Sequence, residues 1–173
     1  MTKKNELALF GGNPVINFKF SPYKTIGSEE KDAVLKVLKR GSLSNFLASY
    51  GEGFEGGEKV KEFEKKWSKY FKVKHSITVN SWTSGLIAAM GALNLSPGDE
   101  VIVSPWTMSA SAMAILHVNA VPVFADVKKD TFCIDFDSVI KNITKKTRAI
   151  MTVDIFGQSS DVDSLIKIAK KYN

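Results

Sequence analysis

Residues 77–90 read Ile77-Thr78-Val79-Asn80-Ser81-Trp82-Thr83-Ser84-Gly85-Leu86-Ile87-Ala88-Ala89-Met90. The β-branched run just before Asn80 predicts a short buried strand over 75–79. It breaks into small polar residues, and the apolar run from Leu86 to Met90 predicts a helix over about 82–93. A strand that becomes a helix through Asn, Ser and Thr leaves backbone N–H groups without acceptors at the helix start. With the positive end of the helix dipole, those groups suit an anion such as a phosphate. The plainer alternative is that Ser81 or Thr83 only caps the helix. The local pattern by itself favours the cap.

Working outward, the same alternation repeats. Pro97-Gly98-Asp99 turns the chain into the strand 100–103, followed by a small-residue helix over 109–118 and a strand over 121–124. Phe136, Val139, Ile140 and Ile143 recur at helical spacing over 135–143. A strand over 148–153 leads into a helix over 160–172, with Val162, Leu165, Ile166 and Ala169 expected inward. Strands alternating with helices predict an α/β fold, a mainly parallel sheet with helices on both faces. Ligands of such sheets bind at the carboxyl ends of the strands, which groups the junctions 80–84, 104–109 and 154–160.

Upstream the pattern is weaker. Residues 1–27, with Gly11, Gly12, Pro14 and Pro22, read as an N-terminal arm, and residues 28–173 as the folded domain that follows. A helix is expected from Ser28, with Glu29 and Glu30 at its positive end, Val34, Val37 and Leu38 inward, and Gly41 ending it. A second amphipathic helix over 58–71 puts Val60, Phe63, Trp67 and Tyr70 on one side. Between them, Gly51-Glu52-Gly53-Phe54-Glu55-Gly56 spells G-x-G-x-x-G. No strand precedes it and two glutamates would face a pyrophosphate, so it reads as a mobile loop and not as a dinucleotide fingerprint.

At 173 residues the chain suits one well-buried domain, and 44% hydrophobic with 24% charged residues is the balance of a soluble globular protein. The net charge of +6 is spread over helix faces and does not form a nucleic-acid patch. The single Cys133 excludes an intrachain disulfide and fits a reducing cytoplasm. The opening residues lack the apolar core of a signal peptide. Residues 101–125 carry no Asp, Glu, Lys or Arg, but Pro105, Pro122, Asn119 and His117 argue against a membrane span.

Taken together, the opening Leu7-Ala8-Leu9-Phe10-Gly11-Gly12-Asn13-Pro14-Val15, the turn Asn80-Ser81-Trp82-Thr83-Ser84-Gly85, and Pro97-Gly98-Asp99-Glu100-Val101 are followed by Trp106-Thr107-Met108-Ser109, Pro122-Val123-Phe124-Ala125-Asp126 and Asp154-Ile155-Phe156-Gly157-Gln158. In this order and spacing they closely resemble the DegT/DnrJ/EryC1/StrS family of pyridoxal-phosphate (PLP) sugar aminotransferases. The resemblance covers nearly the whole chain. It implies the incomplete large domain of a fold-type-I PLP-dependent transferase, working as a homodimer that moves an amino group from an amino acid to a keto sugar, often nucleotide-linked.

The family's phosphate-binding Ser-Gly-Thr turn maps onto Ser81, Trp82 and Thr83, with Trp in place of the usual Gly. The backbone N–H of Trp82 can still serve, but its side chain must find room elsewhere. The aromatic residue that the family stacks on the cofactor ring falls on Met108, whose sulfur can also pack on a ring. Trp106 either substitutes for that aromatic or belongs to the core, and core is the expectation. Asp154 stands where many members carry His near the cofactor, or is simply a turn carboxylate. Gln158 is expected to hold the loop before the last helix.

In the family the Schiff-base lysine and the acid that pairs with the pyridinium nitrogen lie beyond the point matching Asn173. Lys128, Lys129, Lys145 and Lys146 sit in turns or on polar faces, poor places for an amine that must shed its proton to act as a nucleophile. The resemblance therefore implies the N-terminal portion of such an enzyme, inactive alone. The competing readings are a non-catalytic paralogue that dimerises or binds a partner, and a generic nucleotide-binding α/β domain.

Overall fold

A computed structural model describes residues 6–172 other than 44, 47, 48 and 52. Ser44, Glu52, Asn173 and the first five residues, all part of the sequence reading, lie outside the described residues. The chain divides into two compact units, Met1–Ser76 and Ile77–Asn173.

In the first unit the described part of the arm, residues 6–27, is irregular apart from a 3-10 turn at Ala8–Phe10. Helix α1 (Ser28–Lys39) begins as expected, but its N-cap is Gly27, whose N–H donates to Glu30 Oε2 at 2.7 Å. That bond holds the Glu30 carboxyl below its usual pKa. Helix α2 (Glu58–Phe71) has the bounds its pattern predicted. Arg40 and Glu58 form a salt bridge at 2.5 Å between the two helices. The apolar faces are correctly spaced but not inward. Val34 and Leu38 on α1 and Phe63, Trp67 and Tyr70 on α2 are exposed, and neither helix buries a residue. Phe63, Trp67 and Phe71 instead pack on one another along α2, with centroids 5.5 and 4.6 Å apart.

The second unit holds the sheet. Strands β1 (Glu100–Val103), β2 (Val121–Phe124) and β3 (Thr147–Met151) are parallel in the order β2-β1-β3. Helices α3 (Trp82–Ala92) and α4 (Ser109–His117) cover one face. There Met90, Ala114 and Ile115 close on Val101, Val103 and Met151. Helices α5 (Phe136–Asn142) and α6 (Val162–Tyr172) cover the other, where Val139 and Leu165 pack with Ile102, Ala125 and Ile134. β1 is central and its Val101, Ile102 and Val103 are fully buried, which explains the unbroken Val-Ile-Val run.

Two expectations fail in this unit. Residues 75–79 form no strand, and Ile77 is 83% exposed. A β-branched run becomes a strand only when a neighbour takes up its backbone groups, and the three-stranded sheet does not extend to it. On α6 the inward residues are Leu165 and the half-buried Ile168, whereas Val162, Ile166 and Ala169 are exposed. The sheet beneath that helix is narrower than its apolar stripe.

Candidate functional site

The amino end of the sheet is tied by polar contacts. Arg148 Nε lies 3.3 Å from Asp99 Oδ1, Thr144 Oγ1 donates to Glu100 Oε2 at 2.5 Å, and Ser96 N–H donates to Asp99 Oδ2 at 2.8 Å. The carboxyl end carries the loops. Because β1 and β3 are adjacent and parallel, the loop through Met108 and the loop through Asp154 leave the same end of the sheet side by side. Helix α3, which the 80–84 turn begins, packs along α4 in the same unit.

Ser81 is the N-cap of α3, with extended backbone, and its Oγ accepts from Ser84 N–H at 3.2 Å. So the cap reading holds for Ser81, and it leaves the N–H groups of Trp82 and Thr83, which have no acceptor among the described residues. The indole of Trp82 is 75% exposed and lies over its own helix. A Cβ placed on Gly85 would sit 3.0 Å from Trp82 Cε3 and 3.4 Å from Val79 Cγ2. The bare Cα of Gly85 is therefore what lets the ring lie against the helix. This is the room that a Trp in a glycine position requires.

Met108 is the residue before α4, 78% exposed, with its carbonyl accepting from Ser111 N–H at 3.1 Å. Its thioether is thus at the surface beside the loop from β3. Asp154 accepts the Ser160 N–H at 3.0 Å through Oδ1, the turn-carboxylate arrangement, and Ser160 Oγ donates to Val153 O at 3.4 Å. Gln158 helps hold this loop through its carbonyl, which accepts from the buried Cys133 thiol at 3.5 Å. Trp106 is not core, for it is 49% exposed and lies against Phe132, with centroids 5.3 Å apart at 34°. Its N–H is held by Ser104 Oγ at 3.1 Å, so a turn and not a packed interior fixes it.

Phe132 and Phe156, which the sequence did not single out, complete an aromatic rim. Their centroids are 6.3 Å apart, and both have left-handed backbone, φ 59° and 53°. Phenylalanine gives no sign of such a conformation, as Asn or Gly would. In the first unit, Gly53 and Gly56 of the glycine loop also have positive φ. A Cβ on Gly56 would lie 2.7 Å from the Phe46 ring. Close packing of the turn accounts for that glycine without a dinucleotide. No group of residues suited to a metal occurs among the described residues, and no described helix is long and apolar enough to cross a membrane.

A parallel α/β unit with free helix-start donors and loops gathered at one sheet end defines a cofactor-binding class of fold. Residues 25–173 match the DegT/DnrJ/EryC1/StrS aminotransferase family, and the chain belongs to that family. It is 38% identical over 155 residues to the spore coat polysaccharide biosynthesis protein SpsC of Bacillus subtilis, covering 88% of this chain and 37% of that protein. It is 39% identical over 148 residues to the GDP-perosamine synthase of Caulobacter vibrioides, covering 86% and 37%. Among solved structures, the aminotransferase from Psychrobacter cryohalolentis superposes with a TM-score of 0.78 at 32% identity, covering 90% of this chain and 37% of that one. The chain thus spans well under half the length of the relatives it matches. Its fold is part of the large domain of a fold-type-I PLP-dependent transferase.

Proposed function

We propose that this chain is the N-terminal portion of a PLP-dependent aminotransferase that transfers an amino group from an amino acid to a keto sugar, with the intact enzyme a homodimer. In this reading residues 1–27 are an arm and 28–173 the first part of the large domain. The observation that carries it is the pair of N–H groups on Trp82 and Thr83 that have no acceptor among the described residues, at the start of a helix whose Trp82 indole lies against Gly85.

The residues present fit the cofactor. Ser81, Trp82 and Thr83 would hold its phosphate through backbone N–H groups and the nearby Ser81 and Ser84 hydroxyls, 3.1 Å apart. Met108, exposed on the adjoining loop, would offer its polarizable sulfur to the ring. Asp154, already steadied by Ser160 N–H, would supply a carboxylate on the neighbouring loop. Bound there, PLP supplies the electron sink that amino transfer needs. Lys128 is half-buried with its Nζ 4.1 Å from the centroid of the Phe136 ring, a cation–π contact that supports leaving it out of the chemistry.

The test is Thr83→Pro in the full-length protein. Proline is tolerated in the first helical turn, so the helix should survive while one donor is lost. PLP retained after desalting, read by absorbance, should fall at least tenfold. Unchanged retention would place the phosphate site elsewhere. The exposed apolar faces of α1 and α2 favour a second reading, a non-catalytic module that binds a partner. Co-migration with a full-length homologue, without any PLP binding, would support that one.

A further inference from the structure

Strand β2 leaves the sheet into a tight hairpin that precedes α5. Val127 and Ile134 form an antiparallel bridge, Lys128 N–H donates to Cys133 O at 2.9 Å, and Phe132 N–H donates to Lys128 O at 2.9 Å. At its base Asp135 N–H donates to Asp126 O at 2.8 Å. Ile134 and Cys133 are buried, so the hairpin is anchored in the core. Phe132 is not buried, and its φ is 59°. Hairpin turns give such left-handed positions to Gly, Asn or Asp. A phenylalanine there runs against local preference, and a local rule broken in this way points to a task set by the tertiary structure.

The task is visible in what Phe132 and its neighbour touch. The Phe132 ring lies against Trp106 on the loop after β1 and meets Phe156 at 85° on the loop after β3. The adjacent Cys133 thiol donates to Gln158 O, again on the β3 loop. β2 and β3 are not neighbours, since β1 lies between them. Two consecutive residues therefore tie together the loops that follow all three strands. Met108 stands two residues from Trp106, and Asp154 two residues from Phe156.

We infer that Phe132, assisted by Cys133, is a positioning residue, a clamp that holds the Met108 and Asp154 loops at a fixed spacing for the cofactor ring. The identity of the ligand rests on the PLP reading above, whereas the clamp between the loops does not. Its effect is to order in advance two loops that binding would otherwise have to order. None of its contacts involves Ser81, Trp82 or Thr83, so it acts on the ring side of the site and not on the phosphate side.

The probe is Phe132→Asn, because asparagine suits left-handed backbone and so keeps the hairpin while deleting the ring. In the 173-residue chain the N–H groups of Trp106, Gly157 and Ser160 are each hydrogen-bonded within their loops. Their amide exchange should quicken at least tenfold in Phe132→Asn, with residues 101–103 unchanged. Phe132→Tyr keeps the ring and should match the parent. Cys133→Ala should quicken Gly157 and Ser160 and spare Trp106. In the full-length protein freed of cofactor, Phe132→Asn should weaken PLP binding at least fivefold and leave the Kd for inorganic phosphate within twofold. The clamp is overturned if Phe132→Asn exchanges at the parent rate, if Phe132→Tyr behaves like Phe132→Asn, or if Cys133→Ala leaves the β3 loop unchanged. Its role toward the cofactor is overturned if PLP binding is unmoved, or if PLP and phosphate weaken together, as a general loosening would cause. A parent that binds no PLP removes the cofactor reading and this role with it, while the exchange rates still decide the clamp.

Discussion

The two units teach different lessons about the same kind of pattern. Helices α2 and α6 are both amphipathic and both formed where the periodicity placed them. Helix α6 has a sheet beneath it and buries Leu165 to 6% exposure, while α2 buries nothing and leaves Trp67 48% exposed. Periodicity fixes that a helix has an apolar side, but a partner surface decides whether that side is buried. The buried apolar residues named in the two clusters all lie in the second unit.

Mutations can break or sharpen this contrast when measured by urea denaturation of the chain. The largest effect should come from Ile102→Ala. Its side chain is fully buried on β1, so the loss is about 2–5 kcal/mol. Ser81→Ala should cost about 1 kcal/mol, because it removes the acceptor that caps α3 at Ser84 N–H. Val34→Ala on α1 should stay within about 0.5 kcal/mol, since the side chain is 58% exposed. If Val34→Ala cost as much as Ile102→Ala, the first unit would have a buried core after all.

The smallest effect is a matter of pH. Hydrogen bonds from Lys59 and Lys66, at 2.7 Å each, hold the Glu62 carboxyl down to about 2 from its usual 4.5. A carboxyl depressed in the folded state stabilises at pH above its unfolded pKa and loses that contribution as pH falls through the folded value. Helicity of α2, followed by circular dichroism, should therefore decline slightly between pH 4.5 and 2. The decline should shrink in high salt, because the pair is exposed. Glu62→Gln should abolish it.

Much of the architecture was legible. The bounds of α2, β1 and β2 agree with their patterns, and the Ser81 cap and Gly41 stop follow from local chemistry. The misses share one cause. Residues 75–79, Trp106 and the outer stripe of α6 were all read from the residue type, yet each outcome depended on what lay beside it. The left-handed Phe132 and Phe156 had no readable signal, because their conformation is imposed by the loops that hold them.

What the sequence determined by itself was the alternation of strand and helix, the polar break at 80–84 and, through the ordered set of turn motifs, the family. Those are local properties, set by backbone sterics, side-chain period and capping within a few residues. Only the tertiary structure decided the strand order β2-β1-β3, the fold-back of the Trp82 indole over Gly85 and the open edge beside α6. The strand order and the open edge depend on contacts between residues far apart in the chain, whose energy appears only once the sheet has formed, whereas the indole contact spans three residues and needs only the formed first turn of α3.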